Sequence, residues 1–502
     1  MNRALVALTS KLSFGESHLS QKKDSSHSLV ETLARAYEKA RNALEYRADN
    51  LVRRAAVERI LKRRIVINPE PISLAENLLT ELRWARYLTI EESKSKKIDE
   101  LTSIIQKYVD LLGGPVPQEW VIKVASAEIE EFFDLNTDYK QFTFFAFQMI
   151  RQKIKLEDEN LELLIYFSVD KIYAASDDEQ ILYHILTLGG ENISKEKLAE
   201  AWHLFNLAKK HKDISKIIKY VRRQMPPLIL LRDMYFYAPS DFRSITLDEE
   251  KFMKMAADTL EIQLNQMSGK VATAGTRSVI YVFLTKMVLA FGLEVPFEIF
   301  FYGSISRLPL ILNLLFPPIL MWLITMQIKL PKISEREALL GRTWNILQNF
   351  DELGMEADIL IEIDKEKSNS FGYGIFSVLY AIFFVGIFGI IYFVLNQIGF
   401  TFFSKIVFVF FLTVIAFFAY RIVQVAKVYS WKGIEQERSG LTDIISLPIL
   451  SIGSRLSKGL SKLNFLAFAF DFILEAPFKI ILGFVDDWVQ FLSVKKEEEI
   501  LE

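Results

Sequence analysis

The chain has no cysteine. Disulfides, thiolate metal sites and cysteine nucleophiles are therefore excluded, and the composition suits a protein that faces a reducing compartment without covalent staples. An excess of charge of either sign is missing too. Across 502 residues, 60 basic and 62 acidic side chains leave a net charge of -2, which argues against nucleic-acid binding through a strongly basic domain. Histidine is scarce: only His18, His27, His184, His203 and His211 occur. His203 and His211 share one expected helix but stand about two turns apart, too far to hold one metal, so surface histidines are expected.

Motifs that carry chemistry are equally lacking. There is no Gly-x-x-x-x-Gly-Lys phosphate loop, His-Glu-x-x-His pair, Gly-x-Ser-x-Gly elbow or dinucleotide fingerprint. The expectation is a non-enzymatic protein with no catalytic residue, no cofactor and no metal. The first apolar run is short, lacks a small-residue cleavage site and ends at Lys11, so no signal peptide is expected.

What is present is a chain written for two solvents. Charges are dense from Met1 to about Lys270 and nearly vanish over long stretches between Ser278 and Ala426. The expected fold class is all-α: a soluble helical N-terminal domain followed by a helical membrane domain of about four transmembrane helices with interfacial amphipathic helices. Residues 1–27 are expected to be a disordered leader and 28–270 a cytosolic helical domain, with a possible sub-boundary near 113–117. A first membrane helix pair follows over 271–328, a cytosolic linker over 329–371 and a transmembrane hairpin over 372–426. Amphipathic interfacial helices and a polar tail occupy 427–502.

In the soluble half, Val30, Leu33, Tyr37, Ala40, Leu44, Ala48, Leu51 and Ala55 recur in steps of three and four, one face of an amphipathic helix. Ser/Thr-x-x-Glu start signals occur at Ser73–Glu76, Ser176–Glu179 and Thr246–Glu249, where two side chains would reciprocally cap free backbone donors. Stops are expected at Gly113-Gly114-Pro115, Gly189-Gly190 and Pro226-Pro227. Arg53, Arg54, Arg59, Lys62, Arg63 and Arg64 form a candidate basic surface, read first as a solvated helix face and alternatively as a contact for anionic lipid or nucleic acid. The triplet Asp177-Asp178-Glu179 is read as helix-start carboxylates rather than a catalytic site.

In the apolar half, Gly372 to Leu395 is uncharged and long enough to cross a bilayer core of about 30 Å. Its apolar residues sum to about -7 kcal/mol for insertion. Phe402 to Val425 is nearly as apolar, with Lys405 expected to snorkel from its start. Leu308 to Ile328 reads as a span kinked by Pro309 and Pro317-Pro318. Val279 to Phe300 balances near zero, because Lys286, Glu294 and Glu298 offset its apolar residues at up to about 3 kcal/mol each.

Those three residues and Asn313 form the candidate intramembrane polar site. At 100° per residue the charged three fall within about 120° of one another, but Lys286 and Glu294 are separated by about 12 Å of rise, which argues against a direct ion pair. Two readings stay open: a polar path, or a helix lying on the membrane or against the soluble domain with its charges facing water and Pro296 ending it early. Lysine and arginine in the 329–371 loop, against Arg307 alone in the opposite turns, orient both termini to the cytosol. Leu441 to Leu463 and Asn464 to Leu492 are read as interfacial or re-entrant helices rather than a fifth crossing.

Two stretches, Ala36-Tyr-Glu-Lys-Ala-Arg-Asn-Ala-Leu-Glu-Tyr on to Arg64 and Arg277-Ser-Val-Ile-Tyr-Val-Phe-Leu-Thr-Lys-Met on to Glu298, resemble uncharacterised membrane proteins of candidate-phyla-radiation (Patescibacteria-like) bacteria. The resemblance covers about a tenth of the chain and carries no functional residue. It implies a bacterial inner membrane. The expected role is a membrane-anchored scaffold or adaptor, with the lipid bilayer and a protein partner or second copy as its contacts and no nucleic acid. The alternative is a small oligomeric transporter or channel using Lys286, Glu294 and Glu298; a membrane-bound enzyme comes third.

Overall fold

A computed structural model of the chain describes residues 3–12, 51–85, 95–133, 137–151, 158–188, 193–304, 306–326, 333–348 and 370–426, with a few isolated positions besides. Among the described residues every regular element is a helix. Within the leader expected to be disordered, Arg3–Lys11 form a helix; residues 13–27, the Val30–Ala48 stripe and the segments 441–463 and 464–492 lie outside the described residues, Trp488 excepted.

The helices are α1 (Arg3–Lys11), α2 (Val52–Ile67), α3 (Pro71–Trp84), α4 (Ser95–Leu111), α5 (Gln118–Phe133), α6 (Thr137–Arg151), α7 (Leu161–Ile172), α8 (Asp178–Leu188), α9 (Lys195–Lys210) and α10 (Ile214–Tyr237). After them come α11 (Phe242–Ile245), α12 (Glu249–Leu289), one π-helical turn (Ala290–Glu294), α13 (Val295–Tyr302), α14 (Arg307–Met326), α15 (Ile333–Gln348), α16 (Ser370–Gln397) and α17 (Phe402–Ala426). They divide into two compact units, the division falling between Met225 and Pro226 inside α10. The 270/271 boundary expected from charge density lies within α12, which runs unbroken through it.

In the first unit, α2 packs on α3 and α5, α5 also packs on α4 and α8, and α9 packs on α8 and α7. Ala55, Ala56, Val57, Ile60 and Leu61 of α2 are buried, as are Val121, Val124 and Ala125 of α5. Each fully buried Val, Leu or Ile contributes about 1.5–3 kcal/mol. Trp120, Trp202 and Phe205 form an aromatic cluster with centroid separations of 4.6–5.9 Å.

All three capping boxes expected from sequence move. α3 starts at Pro71, whose missing N–H suits the first helical position, and not at Ser73. At α8 the reciprocal bonds run between Asp177 and Gln180, one residue later than expected, while Ser176 Oγ donates to Asp170. At α12 the cap is Asp248, which accepts from Lys251 N–H, because Thr246 donates to the Arg243 carbonyl instead. Pro226-Pro227 stops nothing: α10 continues through both for 24 residues.

In the second unit, α12, α14 and α17 pack mutually, and α15 packs on α12. At Gly275 of α12 a Cβ would come 2.1 Å from Thr325 Cγ2 of α14, so glycine permits that helix contact. α13 ends at Gly303, whose φ of 69° closes the helix by a bond from its N–H to the Ile299 carbonyl. Two helical runs, Glu249–Tyr302 and Arg307–Met326, are long and apolar enough to cross a membrane; Ala381–Gln397 and Phe402–Ala416 are shorter apolar stretches.

Candidate functional site

In the second unit a small polar cluster is buried among apolar side chains such as Val282, Met321, Phe411 and Ile415, while other large apolar side chains face outward. Phe291, Leu293, Phe300, Phe301, Ile311, Trp322, Val385 and Phe393 are exposed, Phe300 at 83 %. Lys286, Glu294 and Asn313 are fully buried and Glu298 is 2 % exposed. The expectation that these charges face water is thereby corrected: they point away from solvent, towards α14 and α17. Pro296 does not end the helix either. It sits directly after the π turn as the second residue of α13, where the widened turn has already displaced the hydrogen-bond register that a proline would otherwise break.

The ion pair that about 12 Å of rise argued against forms nonetheless. Lys286 Nζ lies 3.2 Å from Glu294 Oε2. In a regular helix eight residues overshoot two turns by about 80°, but a π turn absorbs one extra residue. Eight residues then subtend what seven ordinarily do, within about 20° of two full turns. Two long side chains close the remaining distance. Lys286 Nζ also stands 4.9 Å from the Phe411 ring centroid of α17, a contact that partly replaces lost water around the ammonium.

Glu294 Oε1 accepts from Asn313 Nδ2 of α14 and from Ser404 Oγ of α17. Ser404 Oγ is also 2.9 Å from Glu298 Oε1, and Thr401 Oγ1 donates to the same Glu298 oxygen at 3.0 Å. Thr401 in turn caps α17 by accepting from Ser404 N–H. Asn313 Nδ2 also reaches the Ser404 carbonyl at 3.4 Å, while Asn313 Oδ1 has no hydrogen-bond partner among the described residues. The four sequence candidates are thus brought together, and Ser404 and Thr401 join them. No charge marked those two, and their place follows only from the hairpin turn that brings α17 against α13.

Lys405 reaches back from the start of α17 to the turn before it. Its ammonium donates to Asn396 Oδ1 at 2.7 Å and lies 4.4 Å from the Tyr392 centroid, closing the α16–α17 turn.

The arginine-rich run in α2, expected as a solvated face, is half turned inward, with Arg53, Lys62 and Arg64 partly exposed. Arg54, Arg59 and Arg63 are buried. Arg54 bonds Glu58 at 3.0 Å, Asp177 at 2.6 Å and Ser126 at 3.0 Å. Arg63 and Arg64 both engage Glu81, Arg53 engages Glu130, and Lys62 engages Glu58 and Glu119. Burial works to raise the Glu58 pKa, but Lys62 and Arg54 outweigh it and bring it down to about 2. For Asp177 burial wins, helped by Glu179 and opposed by Arg54, and lifts it to about 6. The triplet is structural: Asp178 pairs with Lys171 and Lys209, and Glu179 with Lys123.

His184 departs from the surface role expected of it. Its Nδ1 is 2.7 Å from Asp170 Oδ2 and its Nε2 contacts Glu131 Oε1 at 2.5 Å. Burial opposes the imidazolium, yet Asp170 and Glu131 hold its pKa up to about 10. His203 is exposed, and His211, the residue just past α9, meets Asp158 at 3.0 Å. No group of three His, Cys, Asp or Glu able to hold a metal occurs among the described residues.

No family model matches the chain, and no curated protein or solved structure matches it either.

Proposed function

We propose that the chain is a non-enzymatic integral membrane scaffold or adaptor. Its second unit sits in the bilayer with α12–α13, α14, α16 and α17 as four crossings, and its first unit is a water-facing helical module that binds a protein partner or a second copy. One observation carries the membrane reading: large apolar side chains face outward on α13, α14 and α16 while Lys286, Glu294, Glu298 and Asn313 are turned inward. Water would reverse that arrangement, and lipid favours it, since an ionisable group at bilayer depth must find its partners within the bundle.

The scaffold reading follows from how the polar groups are used. The buried network joins α12, α13, α14 and α17, and the buried Arg54 and Arg63 of the first unit pair within that unit. The α12–α14 contact and the inner membrane of a bacterial cell, with both termini on the cytosolic side, complete the proposal. Mild detergent extraction followed by sizing of the intact chain tests it. Co-elution with a partner, or a self-associated species, is expected; recovery as a detergent-free monomer overturns the membrane reading, and a lone monomer in detergent overturns the scaffold.

A second reading, a small oligomeric transporter, is favoured by the sharing of one serine hydroxyl between two buried carboxylates. Flux in proteoliposomes that is unchanged after K286M, E294Q and E298Q together would remove it.

A further inference from the structure

Around Ser404 Oγ the hydrogens do not suffice. The hydroxyl has one proton, yet it lies within hydrogen-bonding distance of Glu294 Oε1 and of Glu298 Oε1. Neither ionised carboxylate has a hydrogen to give. With both ionised, one of them would face a serine lone pair at 2.9 Å or less. Charge points the same way. Among the described residues Lys286 is the one cation in contact with the network, and it bonds Glu294. Among the described residues Glu298 has no ion pair, only the neutral Thr401 hydroxyl donating to it besides Ser404, and it is 2 % exposed.

The neighbouring elements supply no other countercharge. α14 contributes neutral Asn313, and Arg307 at its start is exposed. On α17, Lys405 is turned to Asn396 and Tyr392. α16 has no charged residue. A buried, unpaired carboxylate is far costlier than the neutral acid. Asn313 Oδ1, fully buried and left with no donor while its own amide nitrogen bonds Glu294, is a second and independent sign that this network has more acceptors than hydrogens.

We infer that Glu298 is a proton-binding site, carrying its proton in the folded protein and donating it to Ser404 Oγ while Ser404 donates to Glu294. The network is then one cation, one anion and one neutral acid. The chain Glu298–Ser404–Glu294 is also a path for a single proton: as Glu298 releases its proton to Ser404 Oγ, Ser404 passes its own to Glu294. The products are a Glu298 carboxylate, an unchanged serine and a neutral Glu294. Glu298 stands five residues before Gly303, at the end of the network nearer the α13–α14 turn, whereas Lys286 closes the other end. The site exists whether or not the protein is a scaffold, because it needs only the burial and the bonds described.

Infrared spectroscopy of the full-length protein in detergent, near neutral pH and compared in light and heavy water, reads the carboxylic-acid carbonyl stretch directly. The wild type should show the band. E298Q should lose it while keeping the wild-type melting temperature, since a neutral amide can replace the neutral acid as donor to Ser404. S404A should keep the band but shift its frequency, because the acceptor is gone. A spectrum unchanged by E298Q, or an E298Q chain that does not fold, overturns the assignment. E294Q serves as a control for Lys286 losing its partner and should lower the melting temperature.

Discussion

Lys286 and Glu294 form a buried ion pair across a π-helical turn, 3.2 Å between Nζ and Oε2, with Asn313 and Ser404 completing the shell of the carboxylate. Removing one partner should cost far more than removing both. K286M leaves an uncompensated buried anion and is expected to lose about 3–5 kcal/mol. The double variant K286M/E294Q should recover most of that loss. Thermal unfolding in detergent of the two singles and the double checks this, and additive losses would contradict the pairing.

In α2, Arg54 should behave as a core residue and Arg53 as a rim residue. R54M strands Asp177, which Arg54 contacts at 2.6 Å, and leaves Glu58 with Lys62 alone, and is expected to cost about 3–5 kcal/mol. R53Q breaks a partly exposed pair with Glu130 and should cost about 1 kcal/mol or less. Amide hydrogen exchange in α2 and α5 would rank them. Equal protection in both variants would mean that Arg54 is not the hub of this unit.

The first unit should be less stable in alkali well before any lysine titrates. The His184 pKa rises from 6.5 in the unfolded chain to about 10 in the fold. Its contribution is therefore full below pH 6.5 and disappears as pH climbs through 10. Glu58 behaves oppositely: lowered from 4.5 to about 2, it stabilises above pH 4.5 and ceases to do so as pH falls through 2. Each amounts to a few kcal/mol at most. Melting curves of wild type and H184N between pH 6 and 10 should converge at the alkaline end, and a constant gap would refute the assignment.

Gly275 is expected to resist even the smallest enlargement. A methyl group there meets Thr325 Cγ2 at 2.1 Å, and the threonine is held by its bond to the Met321 carbonyl. G275A should cost about 1–3 kcal/mol by overpacking. T325A should restore it, leaving the new methyl about as near as Thr325 Cβ, 3.1 Å. Cysteine crosslinking between α12 and α14 in these variants would report any separation.

Some of this architecture was legible in the sequence because it follows from composition along one dimension. The all-helical class came from periodicity, and the apolar segments from runs of Phe, Ile, Leu and Val. Lys286, Glu294, Glu298 and Asn313 stood out because polar side chains are costly in such runs. What was not legible depends on partners distant in the chain. Arg54 and Arg63 looked like surface because nothing local announced Asp177 and Glu81 as their counterions. Asp177 and Asp248 took the caps from Ser176 and Thr246, whose hydroxyls found nearer acceptors. Ser404 and Thr401 carry no charge to mark them. The Lys286–Glu294 pair was hidden by the assumption of a regular helix.

That last irregularity gives the α12–α13 rod a spare residue. Between Lys286 and Glu294 the backbone holds one residue more than two regular coils require, and Gly292, with open space around it, lies in the excess. Shortening the loosened coil by one should simply tighten it, leaving the ammonium and carboxylate opposed. The same deletion a few positions upstream has nothing to absorb it and would swing everything beyond by about 100°, turning Glu294 and Glu298 away from Asn313 and Ser404. Tolerance to length change in this rod is thus confined to a single coil.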